Sequence, residues 1–223
     1  MTARLVIFDV DGTLVDSQAD ILGAMHAAFA SENLTAPSRG DILSIVGLSL
    51  PQAFARLLPD TDAVLQNRLS DAYKHAYGDN RADHGIKGSP LFPGARAALD
   101  LLAGQSNTVL AVATGKSKRG LDGLIAAHGL QGMFHSLQVA DNHPSKPHPS
   151  MILAALTQAG IAANRAVMVG DTTYEMDMGR AAGVGIIGVS WGYHPAYSLN
   201  ADHVIHDFAD LPATVDHLLD PTA

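Results

Sequence analysis

The sequence predicts an α/β fold, in which a doubly wound, mainly parallel sheet carries a small all-helical insertion after its first strand. Two observations support this prediction. Short runs rich in Val, Ile and Leu alternate with longer segments of helical periodicity, and one long segment near the N-terminus shows helical periodicity alone. Continuous apolar runs of this kind are typical of strands that helices cover on both faces of a parallel sheet.

Six short runs are candidate strands, and helical patterns lie between them. Four strongly apolar runs predict buried strands at residues 5–10, 109–113, 166–169 and 184–189. Weaker candidates lie at 137–139 and 203–205. Helices are predicted at about 94–104, 117–128, 149–160, 174–183 and 208–219. This alternation indicates an open sheet with helices on both faces, a core that resembles a Rossmann fold.

Residues 17–81 break the alternation, because they contain no convincing strand. Apolar residues recur at helical spacing from Ile21 to Phe29, and further helices are predicted at about 38–46, 51–58 and 62–77. The segment 79–92 is rich in charge, Gly and Pro, as a linker would be. We therefore expect residues 17–81 to form a helical cap, and residues 1–16 and 82–223 to form the core domain that contains the sheet.

Composition narrows the possible partners and the compartment. The formal net charge is −8, and nucleic-acid binding depends on Lys and Arg, so we expect no nucleic-acid partner. The chain has no cysteine and no apolar run of about 18 residues, which argues against disulfides and a membrane span. No signal-peptide pattern is present, so we expect a cytoplasmic protein. The oligomeric state, monomer or homodimer, stays open.

Acidic residues follow the first predicted strand. Asp9 and Asp11 are two positions apart, so their side chains point to the same side of an extended chain. Two like charges at the end of an apolar strand repel each other and need a cation or a proton. Gly12 permits a sharp turn, and Thr13 supplies a hydroxyl.

Other polar residues follow neighbouring strands or precede helices. Each could be an isolated feature: Thr114 and Asp171 could cap helices, and Lys146 could be a solvated charge. The carboxyl ends of parallel strands meet at one edge of a sheet, where ligands bind. Three carboxylates at that edge would suit Mg²⁺. A carboxylate can attack phosphorus, a cation can neutralise the phosphate, and a second acid can move the proton.

Residues 9–13, with the sequence Asp-Val-Asp-Gly-Thr, resemble the first motif of the haloacid dehalogenase superfamily, in its phosphatase branch. The resemblance implies that Asp9 is the nucleophile and that Asp11 is the general acid and base. It also implies that Asp9 and the backbone carbonyl of Asp11 bind Mg²⁺. Dehalogenases of this superfamily lack the second acid, so the presence of Asp11 argues against dehalogenation.

Later positions match the other motifs of the superfamily. The resemblance implies that the Thr114 hydroxyl and the Gly115 N–H bind the phosphoryl oxygens. It also implies that Lys146 neutralises the nucleophile and the phosphate, and that Asp171 binds Mg²⁺. Gly12 is expected to contribute to phosphate binding, with Thr13 in support.

The fourth motif departs from the common pattern, which has a second Asp four residues after the first. Glu175 occupies that position, and Asp177 lies two residues further on. In a helix that begins near residue 172, Asp171 and Glu175 lie about 40° apart, whereas Asp177 lies about 200° from Glu175. We therefore expect Glu175 to support the metal site, directly or through a water, and Asp177 to be solvated.

The insertion between the first two motifs matches the helical cap of one subclass of the superfamily, and local sequence resembles the phosphoglycolate phosphatase group. The matching pieces are residues 46–50, 170–174 and 191–194. The resemblance implies a small phosphorylated metabolite as substrate. A β-phosphoglucomutase-like phosphotransferase and an inorganic pyrophosphatase are alternatives, and a non-catalytic phosphate-binding protein is a more remote one.

Some prominent residues are expected to be structural. No basic residue follows Gly47 directly, which weakens the mutase alternative. The loop cations Arg39, Arg81 and Lys87 are expected at the surface. Trp191 and Tyr193 are expected to pack or to contact the cap.

Overall fold

The computed structural model describes residues 2–220, apart from the side chains of residues 81–84 and 86. Six strands form one sheet in the order β3-β2-β1-β4-β5-β6, and every neighbouring pair is parallel. The strands are β1 (Arg4–Phe8), β2 (Thr108–Thr114), β3 (Ser136–Val139), β4 (Ala166–Gly170), β5 (Gly185–Val189) and β6 (His203–Ile205).

The sheet is covered on both faces, as the apolar runs predicted. Nine α-helices lie within residues 2–220: α1 (Gln18–Ser31), α2 (Arg39–Ser44), α3 (Leu50–Leu57), α4 (Ala63–His84), α5 (Ala95–Ala103), α6 (Lys118–Ala127), α7 (Ser150–Ala159), α8 (Thr173–Ala182) and α9 (Leu211–Leu219). On one face, Val6 and Phe8 of β1 pack in a core with α5, α6 and α9. On the other face, Leu5 and Ile7 pack with α7 and α8. The strand alternation therefore supplies two separate hydrophobic layers.

The helices α1 to α4 follow β1 and have a hydrophobic core of their own. This core includes Phe29 and Phe54, whose ring centroids lie 6.3 Å apart, and Leu69 of α4, which is buried. Helices α1 and α4 pack extensively against each other. A helical unit with its own core therefore stands beside the sheet.

The elements differ from the sequence predictions mainly at their ends. Strand β1 ends at Phe8, so Asp9 directly follows it, and Thr114 is the last residue of β2 rather than the first residue beyond it. Helix α4 continues to His84, so the expected boundary between residues 81 and 82 falls inside this helix. Arg81 was expected at the surface, but its side chain lies outside the described part of the chain.

Across residues 2–220, no helix combines the length and the apolar character that crossing a membrane requires.

Candidate active site

The carboxyl ends of the three central strands converge on one point of the sheet edge. Asp9 follows β1, and its backbone N–H donates to the carbonyl of Val169 in β4 at 2.9 Å. Asp171 follows β4 directly, and both aspartate side chains are buried. Parallel pairing thus brings together two acids that are distant in sequence, as the sequence predicted.

Lys146 enters this acidic cluster from the loop before α7. Its Nζ donates to Asp9 Oδ1 and to Glu175 Oε1, both at 2.7 Å. Burial opposes the charged ammonium, but the Asp9 and Glu175 carboxylates outweigh it and raise the pKa of Lys146. Lys146 is therefore a cation at the centre of the site rather than the solvated charge of the alternative interpretation.

Asp171 is fixed by hydrogen bonds to both of its oxygens. The Thr13 hydroxyl donates to Oδ1, and the backbone N–H of Tyr193 donates to Oδ2, both at 2.8 Å. Burial, with the neighbouring Glu175 and Asp9 charges, raises the pKa of Asp171 well above its usual value. Burial likewise raises the pKa of Asp9 to about 7, although Lys146 opposes the shift. The protein alone leaves these acids short of positive charge.

The site fits a divalent cation. Asp9, Asp171 and Glu175 each place a carboxylate oxygen within 4.8 Å of the others. Asp9 Oδ2 is buried and has no hydrogen-bond partner among the described residues. A buried, unpartnered carboxylate oxygen beside other carboxylates is costly unless a cation or a proton joins it. An oxygen-only donor set of this kind suits Mg²⁺.

Gly12 makes the close approach of Asp171 possible. Its φ is +84°, in the left-handed region, and a Cβ built there would lie 2.2 Å from Asp171 Oδ2. A larger residue would therefore both strain the turn and displace the acid.

Glu175 holds its place through the first turn of α8. Its Oε2 accepts a hydrogen bond from the Thr172 N–H at 2.8 Å, in a capping box in which Thr172 is the N-cap. Asp171 is therefore not the helix cap. Asp177 is exposed and pairs with Arg180 at 3.4 Å, as expected for a solvated residue.

Thr114 and Gly115 lie at the carboxyl end of β2, beside the site. Helix α6 is capped by Ser117, whose Oγ accepts from the Gly120 N–H at 3.2 Å, so Thr114 does not cap it. The Thr114 Oγ1 accepts from the Lys116 N–H at 3.3 Å, and the residue is buried. A Cβ built on Gly115 would lie 2.6 Å from the carbonyl oxygen of Gly47, so the segment between α2 and α3 comes close to this loop.

Sequence reasoning missed the partners of Asp11. The Lys116 Nζ donates to Asp11 Oδ1 at 2.7 Å and to Oδ2 at 2.9 Å, and the Ser17 hydroxyl donates to Oδ1 at 2.5 Å. Tyr77 of α4 accepts a further hydrogen bond from Lys116 at 2.8 Å. One sequence feature could have predicted that Lys116 lies near the site, because it follows Thr114 by only two residues.

The segment that joins α2 and α3 lies over the site. The backbone N–H of Ser49 donates to Ser145 Oγ at 2.9 Å, and the Tyr174 hydroxyl donates to the Ser44 carbonyl at 2.9 Å. Tyr193 packs against the core of α1 to α4, and Trp191 packs between Phe92 and Phe208. These last contacts confirm the structural roles expected for Tyr193 and Trp191.

Comparison with known proteins identifies the class. Residues 6–189 match the model of the haloacid dehalogenase-like hydrolase family. This match covers more than half of the chain and includes every candidate site residue. The chain therefore belongs to the haloacid dehalogenase-like hydrolases, in the phosphatase branch that its sequence resembles.

Individual relatives agree with this assignment. The chain is 36% identical over 222 residues to a "probable phosphatase IndB" of Dickeya dadantii, which covers 96% of this chain and 94% of the relative. It is 33% identical to a phosphoglycolate phosphatase of Agrobacterium fabrum, over 98% of this chain and 97% of the relative. A phosphoglycolate phosphatase of Haemophilus influenzae is 30% identical to the chain, over 93% of this chain and 96% of the relative.

A solved structure from Haemophilus somnus, described as a predicted phosphoglycolate phosphatase, shares the fold. Its TM-score is 0.84 at 24% identity, and the match covers 96% of this chain and 98% of that one. A hydrolase from Pseudomonas syringae also has a TM-score of 0.84 at 24% identity, with coverage of 98% and 99%. Nearly the whole chain, helices α1 to α4 included, thus adopts a fold that is already known among solved structures.

Proposed function

We propose that the protein hydrolyses a small phosphate monoester with the help of Mg²⁺, through an aspartyl-phosphate formed on Asp9. The observation that carries the proposal is the state of the Asp9 side chain. One oxygen pairs with the buried Lys146 ammonium at 2.7 Å, and the other is buried with no partner among residues 2–220 as described. Such a carboxylate is fixed in place and keeps one oxygen open, as a nucleophile beside a metal ion requires.

The residues that would hold Mg²⁺ are Asp9, Asp171 and the backbone carbonyl of Asp11, with Glu175 in support. When bound, the ion would neutralise negative charge on the phosphate and on the acidic cluster. Glu175 serves the site in a second way, because it pairs with Lys146 at 2.7 Å and so keeps this cation directed toward Asp9.

The chemistry follows from two acids with different surroundings. Asp9 attacks phosphorus, the phosphorus–oxygen bond to the alcohol breaks, and Asp11 gives its proton to the departing alkoxide. In the second step Asp11 takes a proton from a water molecule, whose oxygen attacks phosphorus. The acyl-phosphate bond then breaks, inorganic phosphate leaves, and the Asp9 carboxylate is restored.

Other residues would hold the phosphoryl group during both steps. The Thr114 hydroxyl and the Gly115 N–H stand at the end of β2, next to β1, and can donate to phosphoryl oxygens. Lys146 supplies positive charge to the same oxygens, and the turn at Gly12 allows the backbone to approach closely. These donors are fixed by the sheet, so little reorganisation is needed at the moment of reaction.

The helical cap, residues 17–81 in our division, would exclude water and select the substrate. In support, the segment around Gly47 touches the core at two places. A Cβ on Gly47 would lie 3.0 Å from Glu175 Oε1, and the Gly47 carbonyl faces Gly115. A cap that covers the site in this position would therefore also contact the proposed catalytic residues.

For the substrate we propose a small phosphorylated metabolite of the cytoplasm, and 2-phosphoglycolate as the first candidate. The support is the likeness to phosphoglycolate phosphatases of several bacteria, at 30–33% identity over nearly the whole chain. A phosphoglucomutase or pyrophosphatase activity would use the same nucleophile. The lack of a basic residue directly after Gly47 favours a substrate with one phosphate.

A panel of phosphate esters tests this proposal. Specificity constants would be measured with Mg²⁺ and with EDTA for 2-phosphoglycolate, other small phosphomonoesters, pyrophosphate and 4-nitrophenyl phosphate. Conversion of β-glucose 1-phosphate to the 6-phosphate would be followed in parallel. We expect Mg²⁺-dependent hydrolysis, with 2-phosphoglycolate ranked first. A folded, Mg²⁺-loaded protein that turns over none of these compounds would contradict the proposed enzyme.

A further inference from the structure

Asp11 is held from two sides, and the arrangement leaves one acceptor direction open. Its Oδ1 accepts from both Ser17 and Lys116, whereas Oδ2 accepts from Lys116 alone among the described residues. A carboxylate oxygen can accept two hydrogen bonds, so Oδ1 is saturated and Oδ2 retains one free lone pair. Asp11 is 9% exposed, so the residue is largely shielded from solvent.

Lys116 is in turn held by the cap. Its Nζ donates to the hydroxyl of Tyr77 at 2.8 Å, and the same atom lies 4.7 Å from the centre of the Tyr77 ring. Burial opposes the ammonium charge, but Asp11 and Tyr77 outweigh it and raise the pKa of Lys116. The ammonium therefore donates to both the Asp11 carboxylate and the Tyr77 hydroxyl.

Stability alone does not explain the buried ion pair between Lys116 and Asp11. A buried ion pair stabilises a fold little compared with apolar side chains of the same size. The Lys116 pair instead fixes the rotation of one carboxylate, and it links α4 of the cap to the loop after β1. The Ser17 hydroxyl donates to Oδ1 and fixes the other side of the same carboxylate, while the Ser17 backbone N–H donates to the Tyr193 hydroxyl at 3.1 Å.

We propose that Lys116 and Tyr77 are positioning residues, which aim Asp11 Oδ2 at the water that hydrolyses the phosphorylated Asp9. The inference rests on the proposed function, because it assumes that Asp11 is the base of the second step. It assigns a role in the dephosphorylation step to one core residue and one cap residue. The cap would thus act on the chemistry itself as well as on substrate choice.

The test separates the two chemical steps. The substrate is 4-nitrophenyl phosphate, whose leaving group needs no proton, so formation of the phosphoenzyme should not depend on Asp11. Formation would be measured from the burst of 4-nitrophenolate. Decay would be measured by acid quenching after a chase, in Lys116→Met, Tyr77→Phe and Asp11→Asn.

We expect the decay rate to fall about tenfold in Lys116→Met and about threefold in Tyr77→Phe, which keeps the ring but loses the acceptor. Formation should stay within about twofold of wild type in both variants, because Asp9 and Lys146 are untouched. The matched controls are Lys118→Met and Tyr197→Phe, which change exposed residues and should leave both rates unchanged.

Other outcomes would overturn the inference in distinguishable ways. In Lys116→Met, the rates of formation and decay could fall equally, or the decay rate could stay unchanged. Either result would show that this lysine has a structural role only, and would leave the role of Asp11 intact. Unchanged decay in Asp11→Asn would instead remove the base, and the inference with it. Tyr77→Phe serves as the milder variant if Lys116→Met does not fold, and unchanged decay in it would disprove the link to the cap. If no variant and no wild-type sample forms a phosphoenzyme, both the proposed function and the inference fail.

Discussion

Lys146 and Asp9 form an ion pair that is closed off from solvent, with Nζ 2.7 Å from Oδ1 and side-chain exposures of 0% and 1%. A buried pair of this kind costs desolvation energy on both partners. The same ammonium also serves Glu175, so one cation faces two carboxylates, and Asp171 stands beside them. The described residues of the site therefore carry an excess of negative charge, which the proposed Mg²⁺ would neutralise.

The first prediction concerns Asp9 itself. Asp9→Asn should lower turnover of any phosphate ester at least about 10³-fold, because an amide is a poor nucleophile. Binding of inorganic phosphate, measured by calorimetry with Mg²⁺ present, should survive, since the shape of the site is kept. Asp100→Asn, at an exposed position, is the control. Turnover near the wild-type rate would remove Asp9 from the nucleophile role.

The second prediction concerns the charge balance. Lys146→Met should lower the free energy of unfolding by about 3–5 kcal/mol in EDTA, because two buried acids lose their cation. Adding Asp9→Asn to this variant should recover part of the loss, since one of the uncompensated charges disappears. Denaturant unfolding of the single and double variants measures both effects. A double variant less stable than Lys146→Met would contradict this account of the cluster.

The third prediction concerns pH. In the metal-free protein the pKa of Asp9 is about 7, above its ordinary value of 3.8, chiefly because of burial. The folded state therefore binds the proton more tightly than the unfolded state, and the Asp9 contribution to stability falls as pH rises from about 4 to about 7.

The comparison of wild type with Asp9→Asn in EDTA isolates this effect. The difference in unfolding free energy should shift in favour of the variant as pH rises through this range, and Mg²⁺ should reduce the shift in wild type. A difference that does not depend on pH would show that burial of Asp9 carries no such penalty.

The fourth prediction concerns the contact between Gly115 and the segment that joins α2 and α3. Gly115→Ala would place a methyl group 2.6 Å from the Gly47 carbonyl oxygen and 2.9 Å from that of Leu48, so this segment must move. We expect the specificity constant to fall about tenfold, with a change of less than about 1 kcal/mol in unfolding free energy. Gly78→Ala, where a methyl group meets nothing within 4 Å, is the control. Unchanged kinetics would show that this close contact is not needed for activity.

Much of the fold could be predicted because the sequence encodes it locally. Apolar runs gave all six strands to within a few residues, and the carboxyl ends of parallel strands must meet at one edge. This rule alone placed Asp9 and Asp171 together across 162 positions of sequence. The resemblance to a known family supplied the roles, which geometry by itself would have left open.

Other features could not be predicted, because they depend on packing between distant elements. The pairing of Lys116 with Asp11 and Tyr77 requires helix α4 to lie in one orientation relative to the sheet, and no local pattern specifies that orientation. Helix α4 was predicted to end near residue 77, where Gly78 and a run of polar residues weaken the helical pattern. Helix α4, which packs against α1, nevertheless continues to His84, so the weak local propensity of this stretch does not set its end.

The central claim is that Asp9 carries the phosphoryl group during turnover. The most direct measurement uses Asp11→Asn, in which slow decay should let the intermediate accumulate, with 4-nitrophenyl phosphate and Mg²⁺. Samples quenched in acid would be digested, and tandem mass spectrometry would locate the phosphoryl group. We expect it on Asp9, in about one equivalent per enzyme. A burst of 4-nitrophenolate with the phosphoryl group on another residue, or turnover without any phosphorylated peptide, would contradict this claim.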